Sequence, residues 1–187
     1  VSDGANGAAR RPARGVPVSR RLGASAWIAL ATAGCRGGVH DAGRLEARWT
    51  GLRTGRAAPA ATAYWCGAAR RLVVTAIHGD TAIGLTVYPA GDTIGGAAPV
   101  LDSAAADSVR PRARAALRWL DSVSIPAFEG SAGTVRLARR GGTVAGSFDV
   151  TMRSVNATRA GPGVASGSVH VTGRAVAVPV DSGGCNF

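Results

Sequence analysis

The sequence predicts a mainly β domain, a single antiparallel β-sandwich or small barrel, preceded by a removable N-terminal segment. Three observations predict it. Apolar and polar residues alternate at period 2 in several short stretches, Arg44–Trp49 among them. Gly-rich turns separate these stretches at regular spacing. The 187 residues have room for one domain and a tail, given domains of roughly 100–150 residues.

Residues 1–17 are rich in Gly, Ala and Arg and have no periodicity, so they are expected to be disordered or the product of a misassigned start. The chain opens on Val1, and Val16 and Val18 are alternative starts because GTG codons can initiate in bacteria. Residues 18–34 read as a signal peptide. Arg20 and Arg21 precede 13 uncharged residues, and the small residues Thr32, Ala33 and Gly34 lead into Cys35. The apolar run is too short to span a membrane, which takes about 20 residues. Ser19-Arg20-Arg21 lacks the Phe or Leu-Lys that would complete a twin-arginine signal. Residues 35–43 are a tether, and 44–187 are the β domain.

Within the domain, Arg44–Trp49 sets Leu45, Ala47 and Trp49 on one side and Arg44, Glu46 and Arg48 on the other. Ala63–Gly67, Arg71–His78 and Ala82–Tyr88 are the next strand candidates, the last two joined by the turn His78-Gly79-Asp80-Thr81. Ser103–Asp121 fits two periods. As a strand, Ala113, Ala115, Leu117 and Trp119 share a face. As a helix, Pro111 sits in the first turn and Ala113, Ala116, Leu117 and Leu120 form the stripe. Neighbouring strands and the Trp favour the strand. Thr134–Ala138 and Thr143–Arg153 flank a second hairpin turn at Arg139-Arg140-Gly141-Gly142, and Ser168–Val180 is a long Val-rich strand with Gly173 as a bulge.

The charge is strongly positive. All 22 basic residues are arginines, and 17 of them follow Cys35 against 10 acids. Part of this excess reflects a GC-rich coding sequence, visible in the dominance of Ala, Gly, Arg, Val and Pro. The remainder favours anionic lipid or acidic polysaccharide as a partner. If 110–118 is a strand, the even spacing of Arg110, Arg112, Arg114 and Arg118 puts all four on one face, a stripe suited to an anionic surface or to guarding an edge strand. Nucleic acid is disfavoured: aromatics are only 5%, and no recognition motif or row of stacking rings is present.

No catalytic, cofactor or metal residues emerge. His40, His78 and His170 lack partners at zinc-type spacing, and His78 with Asp80 reads as a turn pair. There is no G-x-S-x-G elbow, P-loop or G-x-G-x-x-G, and Gly130-Ser131-Ala132-Gly133 reads as a loop. Trp49, Trp65 and Trp119 are assigned to the core, or to a cavity wall if the fold is a carrier barrel.

The run Thr32-Ala33-Gly34-Cys35 resembles the lipobox of bacterial lipoproteins, with Thr32 where Leu is commoner. The resemblance implies cleavage between Gly34 and Cys35, diacylglycerol on the Cys35 thiol and fatty acylation, palmitate included, of the new amino end. Arg36 stands where Asp signals inner-membrane retention in some bacteria, so the resemblance implies the outer membrane, facing periplasm or exterior. Gly133-Thr134-Val135-Arg136-Leu137 with Gly146-Ser147-Phe148-Asp149-Val150 is similar to paired strands in uncharacterised exported lipoproteins of GC-rich bacteria, whose last strand ends in a terminal Cys. This implies a β-rich envelope domain and no known activity.

With Cys35 assigned to lipid, Cys66 and Cys185 are left as an even pair in a compartment that permits oxidation, and a disulfide between them is expected. The expected role is an envelope-anchored, non-enzymatic structural or interaction module. A lipocalin-like barrel holding an apolar ligand is the alternative, and an exported hydrolase the third.

Overall fold

The computed structural model describes residues 43–102, 108–120, 125–155 and 167–182. All belong to the compact unit Gly38–Phe187. The expected segments 1–17 and 18–34 lie outside the described residues, as do residues 35–42 of the tether.

Period-2 alternation is written into strand after strand, and the burial follows it. In β1 (Arg44–Gly51) Leu45, Ala47 and Trp49 are buried, and Arg44 and Arg48 are exposed. The chain turns back into the short β2 (Gly55–Ala57), then enters β3 (Ala61–Cys66). β4 (Arg71–His78) and β5 (Thr81–Tyr88) form the hairpin expected at Gly79-Asp80, with Gly79 at φ 55°. A short β6 (Ala97–Pro99) precedes β7 (Arg112–Trp119). β8 (Ala127–Arg140) and β9 (Thr143–Ser154) make the second hairpin, whose turn holds Gly141 at φ 57°. β10 (Ser168–Asp181) is the last strand.

The register closes this sheet on itself. The order runs β10-β3-β4-β5-β7-β8, and β9 joins β8 back to β10, so seven strands form a closed barrel. The seam is the contact of β10 with β3, parallel and two residues long: Val180 lies opposite Ala63 and Asp181 opposite Tyr64. The first part of β10 carries β1 on the same edge, and β1 carries β2. β6 lies along the later part of β8. Closure pairs the seven barrel strands with one another and, among the described residues, leaves only the short β2 and β6 as edge strands.

Inward-facing side chains fill the barrel. Leu45, Leu72, Leu85, Leu117, Phe128, Met152, Val150 and Val171 are almost fully buried and belong to one core cluster, as expected where few strands leave an interior just wide enough for side chains. Trp49 and Trp119 are core residues, and Trp119 meets Phe128 edge to face at 4.9 Å between centroids. Trp65 is partly buried against the same cluster.

Several expectations need correction. Gly173 is not a bulge. The register of β10 against β9 is regular there and slips between Ala175 and Val178, where Ala177 takes φ 48°. Gly173 meets a packing need instead, since a Cβ on it would run into the Glu46 carbonyl and the Phe148 ring. Gly67 belongs to the turn after β3, and Ser131 sits in a bulge of β8 rather than a loop. The ambiguous 103–121 stretch is a strand over Arg112–Trp119, with Ala113, Ala115, Leu117 and Trp119 facing in.

Candidate functional site

The alternation that turns Leu45 and Ala47 inward turns Arg44, Glu46 and Arg48 outward on β1. Sheet register then decides what they meet. Glu46 lies opposite Arg174 of β10, and Arg48 is flanked by Thr172 of β10 and Arg56 of β2. Glu46 accepts hydrogen bonds from Arg174 Nε at 2.6 Å and Arg44 Nε at 2.7 Å. The Arg174 bond, followed by that from Arg44, holds the Glu46 carboxyl below its ordinary pKa, and the same bond raises that of Arg174. On the adjoining β9, Asp149 Oδ1 lies 2.8 Å from His170 Nε2.

Arg48 and Arg56 have no such counter-charge. They face each other in register, and among the described residues neither has an ion-pair partner. Like charges directly opposite in a sheet are destabilising. Between them, Arg174 and His78 lies a concavity of about 650 Å³ whose walls also include Ala57, Ala58 and Thr172. The alanines keep it open, and the guanidinium groups make it a cationic hollow able to accept an oxyanion.

The residues expected to carry function are placed differently from one another. Gly34, Cys35 and Cys185 lie outside the described residues, as does His40. Cys66 ends β3, is 3% exposed and is disulfide-bonded. Its partner is outside the described residues, and with three cysteines in the chain it is Cys35 or Cys185. Of the arginine stripe, Arg112, Arg114 and Arg118 share the outer face of β7, whereas Arg110 precedes the strand and is not part of that face. Arg112 is 3% exposed and its guanidinium stacks 4.2 Å from the Tyr88 ring, opposite which it sits in register. Arg110 stacks on the same ring at 5.2 Å and donates to the Arg70 carbonyl at 3.3 Å. Arg114 is half-buried, and Arg118 is exposed. The four therefore do not form an evenly exposed stripe: Arg112 is buried on the Tyr88 ring, while Arg110 touches the same ring and stays exposed.

Other sequence candidates have local roles. Asp80 accepts from the Thr81 hydroxyl at 3.0 Å inside its turn. Ser131 Oγ donates to the Thr151 carbonyl at 3.2 Å. Among the described residues there is no cluster of three or more His, Cys, Asp or Glu that could hold a metal ion. Of the residues of the cationic hollow, the sequence singles out only His78 as a candidate, and that only in a turn pair with Asp80. Arg48 was visible as an outward strand position, but its meeting with Arg56, Arg174 and His78 depends on register and barrel closure.

No protein-family model, no curated protein and no solved structure matches the chain. No helix among the described residues is long and apolar enough to cross a membrane. The strands run apolar-in and polar-out, with Thr62 and Thr75 hydrogen-bonded at 3.1 Å on the outer face. That is the reverse of the outward apolar band of a transmembrane barrel.

Proposed function

We propose that the chain is an exported envelope lipoprotein, anchored through Cys35, whose barrel serves as a non-enzymatic interaction domain facing anionic partners. The observation that supports export is the disulfide at Cys66, whose bridge to Cys185 would leave Cys35 for the anchor. Structural disulfides persist in oxidising compartments outside the cytosol, and the stretch Arg20–Cys35 has the order of a lipoprotein export signal. The arginine-rich outer wall supports an anionic partner. A carrier barrel would need an enclosed apolar cavity, typically about 300–1,000 Å³. Core side chains occupy that space here, so no observation favours the carrier, and none favours a hydrolase.

The test is metabolic labelling with a fatty acid in a bacterial host. The wild-type chain is expected to take up label and Cys35→Ala to take up none. Unlabelled wild-type protein that still carries residues 18–34 would refute the anchor.

A further inference from the structure

We infer that the cationic hollow between β2, β1 and β10 is a binding site for a phosphate monoester group attached to a small, partly apolar body. Three observations carry the inference. The first is the pairing of Arg48 with Arg56. The two residues stand directly opposite each other across an antiparallel pair, and among the described residues neither is ion-paired, although Glu46 lines the same hollow. A bound anion would relieve the repulsion that this pairing creates.

The second is the balance of charge around the hollow. Glu46 is already committed to Arg174 and Arg44, so it offsets Arg174 and leaves Arg48 and Arg56 uncompensated. Two uncompensated guanidinium groups match a doubly charged phosphate monoester better than a single carboxylate. Guanidinium forks suit the oxygens of phosphate, and the His78 ring and Thr172 hydroxyl stand in the same wall as further polar contacts. The third is size. About 650 Å³ exceeds what a lone phosphate needs and falls within the usual range for small-molecule sites. Ala57 and Ala58 give the remainder of the ligand an apolar surface.

The site goes beyond lipid anchoring and does not rest on it. The phosphate monoester could belong to a soluble molecule or to a lipid headgroup, and the test separates the two. The full chain carrying Cys35→Ala is used, so that no acyl anchor can take it to a vesicle and a failure of lipidation cannot be mistaken for a failure of the hollow. One arm titrates phenyl phosphate at low salt. The other measures co-sedimentation with phosphatidylcholine vesicles with and without phosphatidic acid.

Arg48→Gln and Arg56→Gln, both at exposed positions, are each expected to weaken binding about tenfold, the loss of one charge-assisted hydrogen bond. Arg118→Gln, which removes the same charge on β7, should leave binding unchanged. Unchanged thermal unfolding shows that the variants are folded, and Arg56→Glu supplies a second test of sign by abolishing binding. Binding of phenyl phosphate with this variant pattern identifies a soluble ligand; the same pattern only on phosphatidic acid vesicles identifies a headgroup. Binding in neither arm overturns the inference. So does equal weakening by Arg118→Gln, which would mean diffuse surface charge.

Discussion

Glu46 shows how one outward position on a strand acquires a role from its register. Arg174 and Arg44 reach it from opposite β10 and from two residues back on β1, and together they hold its carboxyl below the ordinary 4.5. A carboxyl whose folded pKa lies below its unfolded value binds fewer protons in the folded state, so it adds stability as pH rises. That stability is complete above about pH 4.5 and is lost as pH falls through the lowered folded value. The pair is exposed to solvent, so the effect is small and screened by salt. Glu46→Gln is therefore expected to be less stable than wild type at neutral pH, with the gap closing as pH falls below 4.5 and through the lowered folded value. Urea unfolding across that range measures it, and a gap that stays constant with pH would contradict the assignment. Alternation alone revealed that Glu46 faces outward. Its partners were hidden, since Arg174 lies far along the chain and only the β1–β10 register brings it near. Gly173 was misread for a related reason. A strand glycine serves equally for a bulge or for a close approach, and only the Phe148 ring packed against it tells the two apart.

At the scale of the element, β7 shows why identical side chains at alternate positions need not behave alike. Arg112 and Arg118 lie on the same outer face, but Arg112 is stacked over Tyr88 and buried while Arg118 is in water. A desolvated guanidinium on an aromatic face contributes about 2 kcal/mol, and its aliphatic stem adds packing. Arg112→Ala is expected to lower stability by about 2 kcal/mol and Arg118→Ala by less than about 0.5 kcal/mol. Chemical denaturation of the two variants checks this, and equal losses would remove Tyr88 from the account. The hairpins β4–β5 and β8–β9 were legible because each is a local event, two alternating runs joined by a short glycine-containing turn. β2 and β6 were not, since three residues are too few to show a period. β7 was ambiguous because its alanines suit a helical stripe as well as a strand face. What settles it is eight residues of pairing with β5, a contact that the local sequence does not contain.

At the scale of the molecule, alternation reads the same in a sandwich and in a barrel, so the sequence could supply the strands without the closure. Closure depends on where the end of β10 goes. Its two residues beside β3 form the shortest seam of the barrel and are parallel, whereas the other strand pairs are antiparallel. Asp181 lies opposite Tyr64, two residues before Cys66, and three residues of chain lie between Asp181 and Cys185. β10 and β3 thus run in the same direction toward the end of β3, where Cys66 is buried in its disulfide. This makes Cys185 the partner that the register favours, and the proposed lipidation of Cys35 points the same way. Such a link spans a loop of more than 100 residues, for which the chain-entropy model gives about 4–5 kcal/mol. It also acts where backbone pairing is thinnest. Cys66→Ser or Cys185→Ser is therefore expected to lower stability by about 2–5 kcal/mol, and amide exchange at Ala63, Tyr64, Val180 and Asp181 should rise before exchange in the long β8–β9 hairpin does. Thiol counting on the unfolded, unreduced chain carrying Cys35→Ala supplies the independent check. Two reactive thiols would refute the Cys66–Cys185 bridge. Uniform exchange across both regions in the serine variants would mean that the link stabilises the barrel as a whole rather than its seam.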